Sequence, residues 1–404
     1  MKEHIFATID RLSAVLKETS LFIGRNPELG HEEFKAAEKL TGLLAQLGFD
    51  VERGVLDIPT SFIARYTSPK PGPVIAFMAE YDALPDIGHA CGHHLICTMS
   101  IAAAAGLKAV IDEAGGEIRV YGTPAEETKG AKVPMSKAGL FDDVDAALMA
   151  HPYHTYEHSG TSLAMDAVQF EYFGKAAHAA ASPHEGINAL DAVLQLFNSI
   201  NALRQQLESH VRIHGIITEG GTAPNIIPEY AVAQFYVRSG NRPYTDETVR
   251  KVIRCAEGAA LQTGAKLTVT NYEYSYDELL TNQELSDTYT KNLAALGVDP
   301  EAIETGKDHG SLDLGNVSRR CPAIHPYVKV IDRKHLLHTV EFRDLALEDR
   351  ALDGMLLGAK ALAATAYDVL TVPGLADSIR QSFRMAVEDK RLSASFKQEG
   401  DGQS

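Results

Sequence analysis

Four side chains able to hold a metal fall within six positions of the segment GHACGHH: His89, Cys91, His93 and His94. Imidazole and thiolate both suit zinc and related transition metals. The cluster lies between an apolar run ending in AEYDALP and a helical pattern, so it sits at the carboxyl end of a strand. Open α/β sheets place their sites there. A polar loop with chance histidines is the bland alternative. Two adjacent carboxylates, Glu126 and Glu127 in TPAEETKG, follow another apolar run. Such pairs are usually solvated. At a strand end, however, one carboxylate can bind a metal while its neighbour reaches the attacking water. A third run, DAALMAHP, ends in His151. A histidine there is more often a satisfied core or edge residue, but three strand ends bearing ligand types should converge. His154 and His158 read as loop residues. In KHLLHTVEF, either His335 or His338 can complete a site, and Thr339 is placed to cap the helix that follows.

These residues need a framework. Phe34, Ala37, Leu40, Leu44 and Leu47 follow helical spacing, which Gly48 ends. The runs SFIARY, PVIAFMAEYD, EIRVYGTP and DAALMAHP read as strands of a covered sheet, with IAAAAGLKAVIDEAG as a helix between two of them. The pattern changes near residue 165. MDAVQFEYF, a helix carrying Leu190, Val193, Leu194, Phe197 and Ile200, then VRIHGIITEGG, YAVAQFYVRS, TDETVRKVIRCAEGAALQTG and KLTVTNYEY follow in turn. That order is strand, helix, strand, strand, helix, strand, as in a ferredoxin-like unit. The expected fold is α/β with two domains. Residues 1–164 and 276–404 form a mixed-sheet catalytic domain with helices on both faces, and 165–275 form an inserted ferredoxin-like α+β lid. A single long apolar helix is expected from about Leu345 to Leu370. The stretch 390–404, with few apolar residues, is expected to be mobile.

Composition narrows the function. The 404 residues include 54 acidic against 38 Lys and Arg, a formal net charge of -16. A phosphate backbone would be repelled, so nucleic acid is not an expected partner. Four scattered cysteines fit a reducing compartment rather than a disulfide framework. The sequence shows no run of eighteen apolar residues, so no spanning helix and no membrane partner are expected. The N-terminal segment reads as an amphipathic helix rather than a signal peptide, and a cytoplasmic protein is expected.

Taken together, the segments PELGHEEFKAAEKL, AEYDALPDIGHACGHH, GTPAEET, AHP, GKAAHAAASPHEGINALDA, GGTAPNIIPEYA, LDLGNVS and LHTVEF resemble one family. It is the metallopeptidase family of aminoacylases, carboxypeptidase-G-type enzymes and plant auxin-conjugate amidohydrolases. The chain is most similar to the branch of aminoacylase-like dipeptidases and p-aminobenzoyl-glutamate hydrolase subunits. The matching segments run from residue 27 to residue 342.

The resemblance implies two divalent metal ions per subunit, zinc or manganese, with cobalt possible. It implies Cys91, His93, Glu127, His151 and His338 as ligands. Cys91 would bridge the metals, with His93 and His151 on one and Glu127 and His338 on the other. It gives Glu126 as general base, Asp82 as the aspartate orienting the site, and His178 as a lid histidine contacting the reacting carbonyl, often in a partner's site. Asn225 and Arg238 match lid positions linked to substrate binding. The sequence departs at His94, where many relatives carry Asn or Asp; that change either alters the metal's surroundings or adds a ligand. The implied substrate is a small N-acyl amino acid or dipeptide, and the implied assembly a homodimer or higher homo-oligomer. Two other readings remain open on sequence: a hydrolase with Cys91 as nucleophile, and a non-catalytic metal-binding protein on the same fold.

Overall fold

The computed structural model describes residues 1–306, 310–331 and 335–400. The chain divides into two compact units, residues 1–161 with 279–404, and residues 162–278.

The first unit is built on a six-stranded mixed sheet. Its strands run in the order Asp50–Arg53, Phe62–Thr67, Glu117–Gly122, Val74–Ala79, Ala146–Leu148, Ala323–Ile324. The first two pairings are antiparallel and the remaining three parallel. Alternation along the central strand explains the layers. Ile75, Phe77 and Ala79 enter one apolar core, while Ala76 and Met78 enter a second on the opposite face. Helices cover both faces, as an α/β fold requires. Lys2–Arg25, His93–Ala114 and Asp349–Thr371 contribute to the larger core, and Lys132–Lys137 and Leu314–Val317 to the smaller. A small second sheet joins Ile303–Glu304, Tyr156–Glu157, Tyr327–Lys329 and His151–Tyr153.

The second unit has the ferredoxin-like order expected. Strand Ala164–Phe173, helix Ala189–Leu203, strands Arg212–Glu219 and Tyr230–Ser239, helix Arg242–Thr263 and strand Lys266–Asn271 follow one another. Its four strands form an antiparallel sheet with Ala164–Phe173 and Tyr230–Ser239 at the centre. Phe170, Tyr172, Val193, Leu196, Phe235 and Val252 are among the residues of its core. The unit begins and ends side by side: Met165 and Tyr276 exchange backbone hydrogen bonds of 2.8 and 2.9 Å.

Three helices bear on the expectations. Helix His93–Ala114, 22 residues long, is apolar enough to cross a membrane by length and composition. Its glycine and alanine turns let neighbouring helices pack closely, and it is mostly buried inside the first unit. The long helix near the C-terminus is broken: Val340–Leu345 stops, and a new helix starts at Asp349. Residues 390–400 belong to the helix Leu375–Gly400. Low hydrophobicity measures what a segment can bury; Lys, Arg, Glu, Gln and Ala still favour local helix. Residues 401–404 lie outside the described residues.

Candidate metal centre and its supports

Three parallel strands deliver the site. After Val74–Ala79 the chain reaches Asp82 and the loop to His93; after Glu117–Gly122 it reaches Glu126 and Glu127; after Ala146–Leu148 it reaches His151. Gly92 lets two of these loops close together. Its φ of +81° is left-handed, and a Cβ there would lie 2.7 Å from Pro152 Cγ. The fourth segment arrives from a distance: His338 N donates to Ala90 O at 3.0 Å, fastening it to the Cys91 loop. His338 itself has φ +62°.

The side chains gather into two overlapping groups. Cys91, His93 and His151 have ligand atoms within 4.8 Å of one another, and so do Cys91, Glu127 and His338. Cys91 belongs to both. His93, Glu126 and Glu127 form a further group at the same spacing. Cys91 Sγ lies 3.5 Å from His151 Nε2, and Glu127 Oε1 lies 3.5 Å from His338 Nε2 and 3.9 Å from His93 Nε2. Bonds of about 2.0–2.3 Å in a tetrahedron leave ligand atoms about 3.5 Å apart. Cys91, His93 and His151 are buried, whereas the His338 side chain is 53% exposed.

The neighbours aim these ligands. His93 Nδ1 donates to Asp82 O at 2.9 Å and to Asp82 Oδ1 at 3.1 Å, leaving Nε2 toward the group. His151 Nδ1 donates to Pro152 O at 2.8 Å, with the same result. Such partners fix the tautomer and orientation of a ligating imidazole. Asp82 Oδ2 also accepts the backbone N–H of Glu127 at 3.0 Å, so one carboxylate holds two ligand segments. Burial opposes its charge, but His93 and the N–H groups of Glu127 and Glu126 hold Asp82 down at about 2. Asp82→Ala is expected to weaken metal affinity about 10–100-fold. Competition with a chromophoric chelator measures this, and wild-type affinity would show that Asp82 orients nothing.

A divalent cation fits this donor set. Glu127 Oε1 is buried and has no hydrogen-bond partner, though two imidazoles approach it. Burial, and then the Glu127 carboxylate, push the Cys91 thiol well up. A cation held among these groups would answer both.

Several residues near the site escaped the sequence reading. Lys132 is fully buried, and its ammonium lies 2.5 Å from Glu80 Oε1 and 2.6 Å from Asp313 Oδ1. Glu80, Glu126 and Asp313 form a fourth group within 4.8 Å. Glu33, also fully buried, accepts the N–H of Ala125 at 2.8 Å. A charged residue closing an apolar run, as Glu80 does in PVIAFMAEYD, was the available signal. His94 joins none of these groups among the described residues. It is buried, Nε2 donates to Ala346 O at 3.2 Å, and its ring meets His89 edge-on at 5.3 Å. His335 likewise joins none, and neither do His154, which stacks on Tyr153, and His158, which shares a hydrogen bond with Thr290.

In the second unit, His178 is exposed, and its Nδ1 accepts the backbone N–H groups of Ala180 and Ala181, each at 3.2 Å. That leaves Nε2–H as the ring's donor. Asn225 lies beside it, its carbonyl accepting Ala179 N at 3.0 Å. Arg238, on strand Tyr230–Ser239, places its guanidinium 5.2 Å from the Tyr236 ring centroid.

Fold and candidate metal centre define an α/β protein with an inserted α+β unit. A peptidase dimerisation domain model matches residues 165–262. The chain is 36% identical to the Xaa-Arg dipeptidase of Mus musculus over 97% of this chain and 94% of that one. It is 31% identical to a p-aminobenzoyl-glutamate hydrolase component of Escherichia coli K12, over 90% of each. Among solved structures, a putative aminohydrolase of methicillin-resistant Staphylococcus aureus aligns with a TM-score of 0.75 at 21% identity, covering 92% of this chain and all (100%) of that one. The YXEP protein of Bacillus subtilis, a dinuclear metal-binding peptidase, aligns with a TM-score of 0.61 at 20% identity, covering 89% and 99%. The chain belongs to the M20 peptidase family and is a hydrolase.

Proposed function

We propose that this chain is a two-metal amidohydrolase that cleaves the amide bond beside an amino-acid carboxylate, in dipeptides and N-acyl amino acids. The observation that carries the reading is Cys91, shared by two ligand groups, with Glu126 grouped beside Glu127 and His93. Cys91, His93 and His151 would hold one ion, and Cys91, Glu127 and His338 the other. Zinc, manganese or cobalt in those positions would supply Lewis acidity, lowering the pKa of a water and polarising the scissile carbonyl.

The chain's own groups do the rest. Glu126 takes the water's proton and returns it to the leaving nitrogen. Asp82 keeps His93 and the Glu127 backbone in place. The resemblance gives His178, with Nε2–H set as donor, as the group that answers the developing oxyanion, often in a partner's site, and Asn225 and Arg238 as substrate-binding residues. The dimerisation-domain match supports a homodimer.

Dipeptides ending in arginine come first as substrates. The mouse relative's name specifies them, and a net charge of -16 draws cationic solutes. The test strips the protein with a chelator, counts metal per chain, and screens Xaa-Arg and other dipeptides, N-acyl amino acids and p-aminobenzoyl-glutamate as each ion is restored. Loss of turnover on stripping and recovery with zinc, manganese or cobalt is the expected result. Activity that survives stripping but dies on thiol alkylation would move the chemistry to Cys91 as nucleophile and sink the proposal.

A further inference from the structure

The segment 27–33 joins none of the candidate ligand groups among the described residues, yet it is moulded onto the loop that carries Glu126 and Glu127. Three contacts make the fit. Glu33 Oε1 accepts the N–H of Ala125 at 2.8 Å, while Oε2 accepts Thr60 Oγ1 at 3.0 Å. His31, at φ +65°, donates from Nε2 to Lys129 O at 2.9 Å. Gly30 lies flat against the loop between them: a Cβ there would meet Thr128 Oγ1 at 2.8 Å and Ala125 Cβ at 2.9 Å. The segment is itself anchored, because Glu28 O accepts Ala83 N at 2.9 Å and the Glu28 carboxylate accepts Lys35 N and Ala36 N at the start of helix Phe34–Gln46.

What this mould holds is strained. Ala125 has φ +63°, a left-handed conformation unfavourable for a residue with a Cβ. It immediately precedes Glu126. Turning the chain there brings together two consecutive carboxylates that a regular strand would send to opposite faces, so that Glu126 and Glu127 both reach His93. Strain of this kind persists only where surroundings over-determine it. The buried Glu33 carboxylate answers the Ala125 N–H, and burial makes an unanswered N–H costly.

We propose that Glu33 is a positioning residue for hydrolysis: through the Ala125 N–H it fixes the backbone that aims Glu126, touching neither metal nor substrate. The inference rests on the reading of Glu126 as general base. Its consequence is a loss in kcat rather than in substrate binding or metal content. A displacement of about 1 Å in a reacting group can cost about 10²-fold.

The experiment compares Glu33→Ala, Glu33→Gln and Glu126→Gln in the metal-loaded full chain, reading kcat, KM and metal per chain on the best substrate of the screen above. Glu33→Ala is expected to lower kcat about 10²-fold with KM and metal content unchanged. Glu33→Gln should recover kcat to within about threefold of wild type, because its amide oxygen still accepts from Ala125 N while its NH2 donates to Thr60. A Glu33→Ala enzyme with wild-type kcat overturns the proposal, as does a Glu33→Gln enzyme as slow as the alanine variant, or metal lost in step with activity. If Glu33→Ala does not fold, Gly30→Ala pushes on the same loop from its other contact; reduced kcat at full metal content supports the proposal and unchanged kcat overturns it. Should Glu126→Gln keep its activity, the general-base reading falls by itself; should Glu126→Gln be inactive while Glu33→Ala is fully active, only the positioning role falls.

Discussion

Glu126→Gln is expected to lower kcat by about 10²–10⁴-fold while leaving two metal ions per chain. Glutamine matches glutamate in shape but cannot take a proton from water, so the change removes the transfer and little else. The surroundings suit a base. Burial, and then the charges of Glu80, Glu127 and Asp313, push the Glu126 carboxyl well above the usual carboxylate range, while His93 acts in the opposite direction. Efficient bases have pKa values near the working pH, and a carboxyl raised from its ordinary value moves toward it. Parallel metal analysis and steady-state kinetics check the claim. A variant retaining most of its turnover would remove Glu126 from the chemistry, and one that loses metal would make it a ligand instead.

Lys132→Met is expected to destabilise the first unit by about 3–5 kcal/mol, the typical penalty for removing one partner of a buried ion pair. Lys132 and Asp313 are fully buried and Glu80 nearly so, and the ammonium bonds to both carboxylates. Burial opposes its charge, but Asp313, Glu80 and Glu126 hold its pKa well above the ordinary lysine value. Without it, two carboxylates face each other in the interior beside Glu126. Urea denaturation at fixed metal concentration measures the loss. Adding Asp313→Asn to Lys132→Met should recover part of it by removing one uncompensated charge. A single variant within about 0.5 kcal/mol of wild type would show that water already reaches the cluster.

The ligand types stood out in the sequence because each broke a pattern. Imidazoles and a thiol crowd six positions, and charged or polar residues close apolar runs that only a covered sheet explains. The alternation of periods, from helix to strand, marked the inserted ferredoxin-like unit. Glu33 and Lys132 broke no visible pattern. Glu33 stands beside Glu32 at the start of an amphipathic helix, where acids are commonplace and usually solvated. Only the approach of a loop from residue 125, 92 positions away, buries it. Lys132 likewise needs Glu80 and Asp313, which lie 52 and 181 positions away. Local periodicity carries no information about such encounters. The break before Asp349 was missed for a related reason. Apolar spacing continues across residues 346–348, and what interrupts the helix is a turn of the chain, not a change in composition.

The paired ends of the second unit bear on how such an architecture arises. Because Met165 and Tyr276 already sit hand in hand, the whole segment enters and leaves the framework at a single doorway. Thr281 Oγ1 donates to Gly160 O at 2.6 Å on the framework's side of that doorway. Closing the gap would therefore need only a short splice, at small chain-entropy cost. A module fastened in this way can be exchanged through its two neighbouring junctions while the strands that carry Asp82, Glu126, Glu127 and His151 stay as they are.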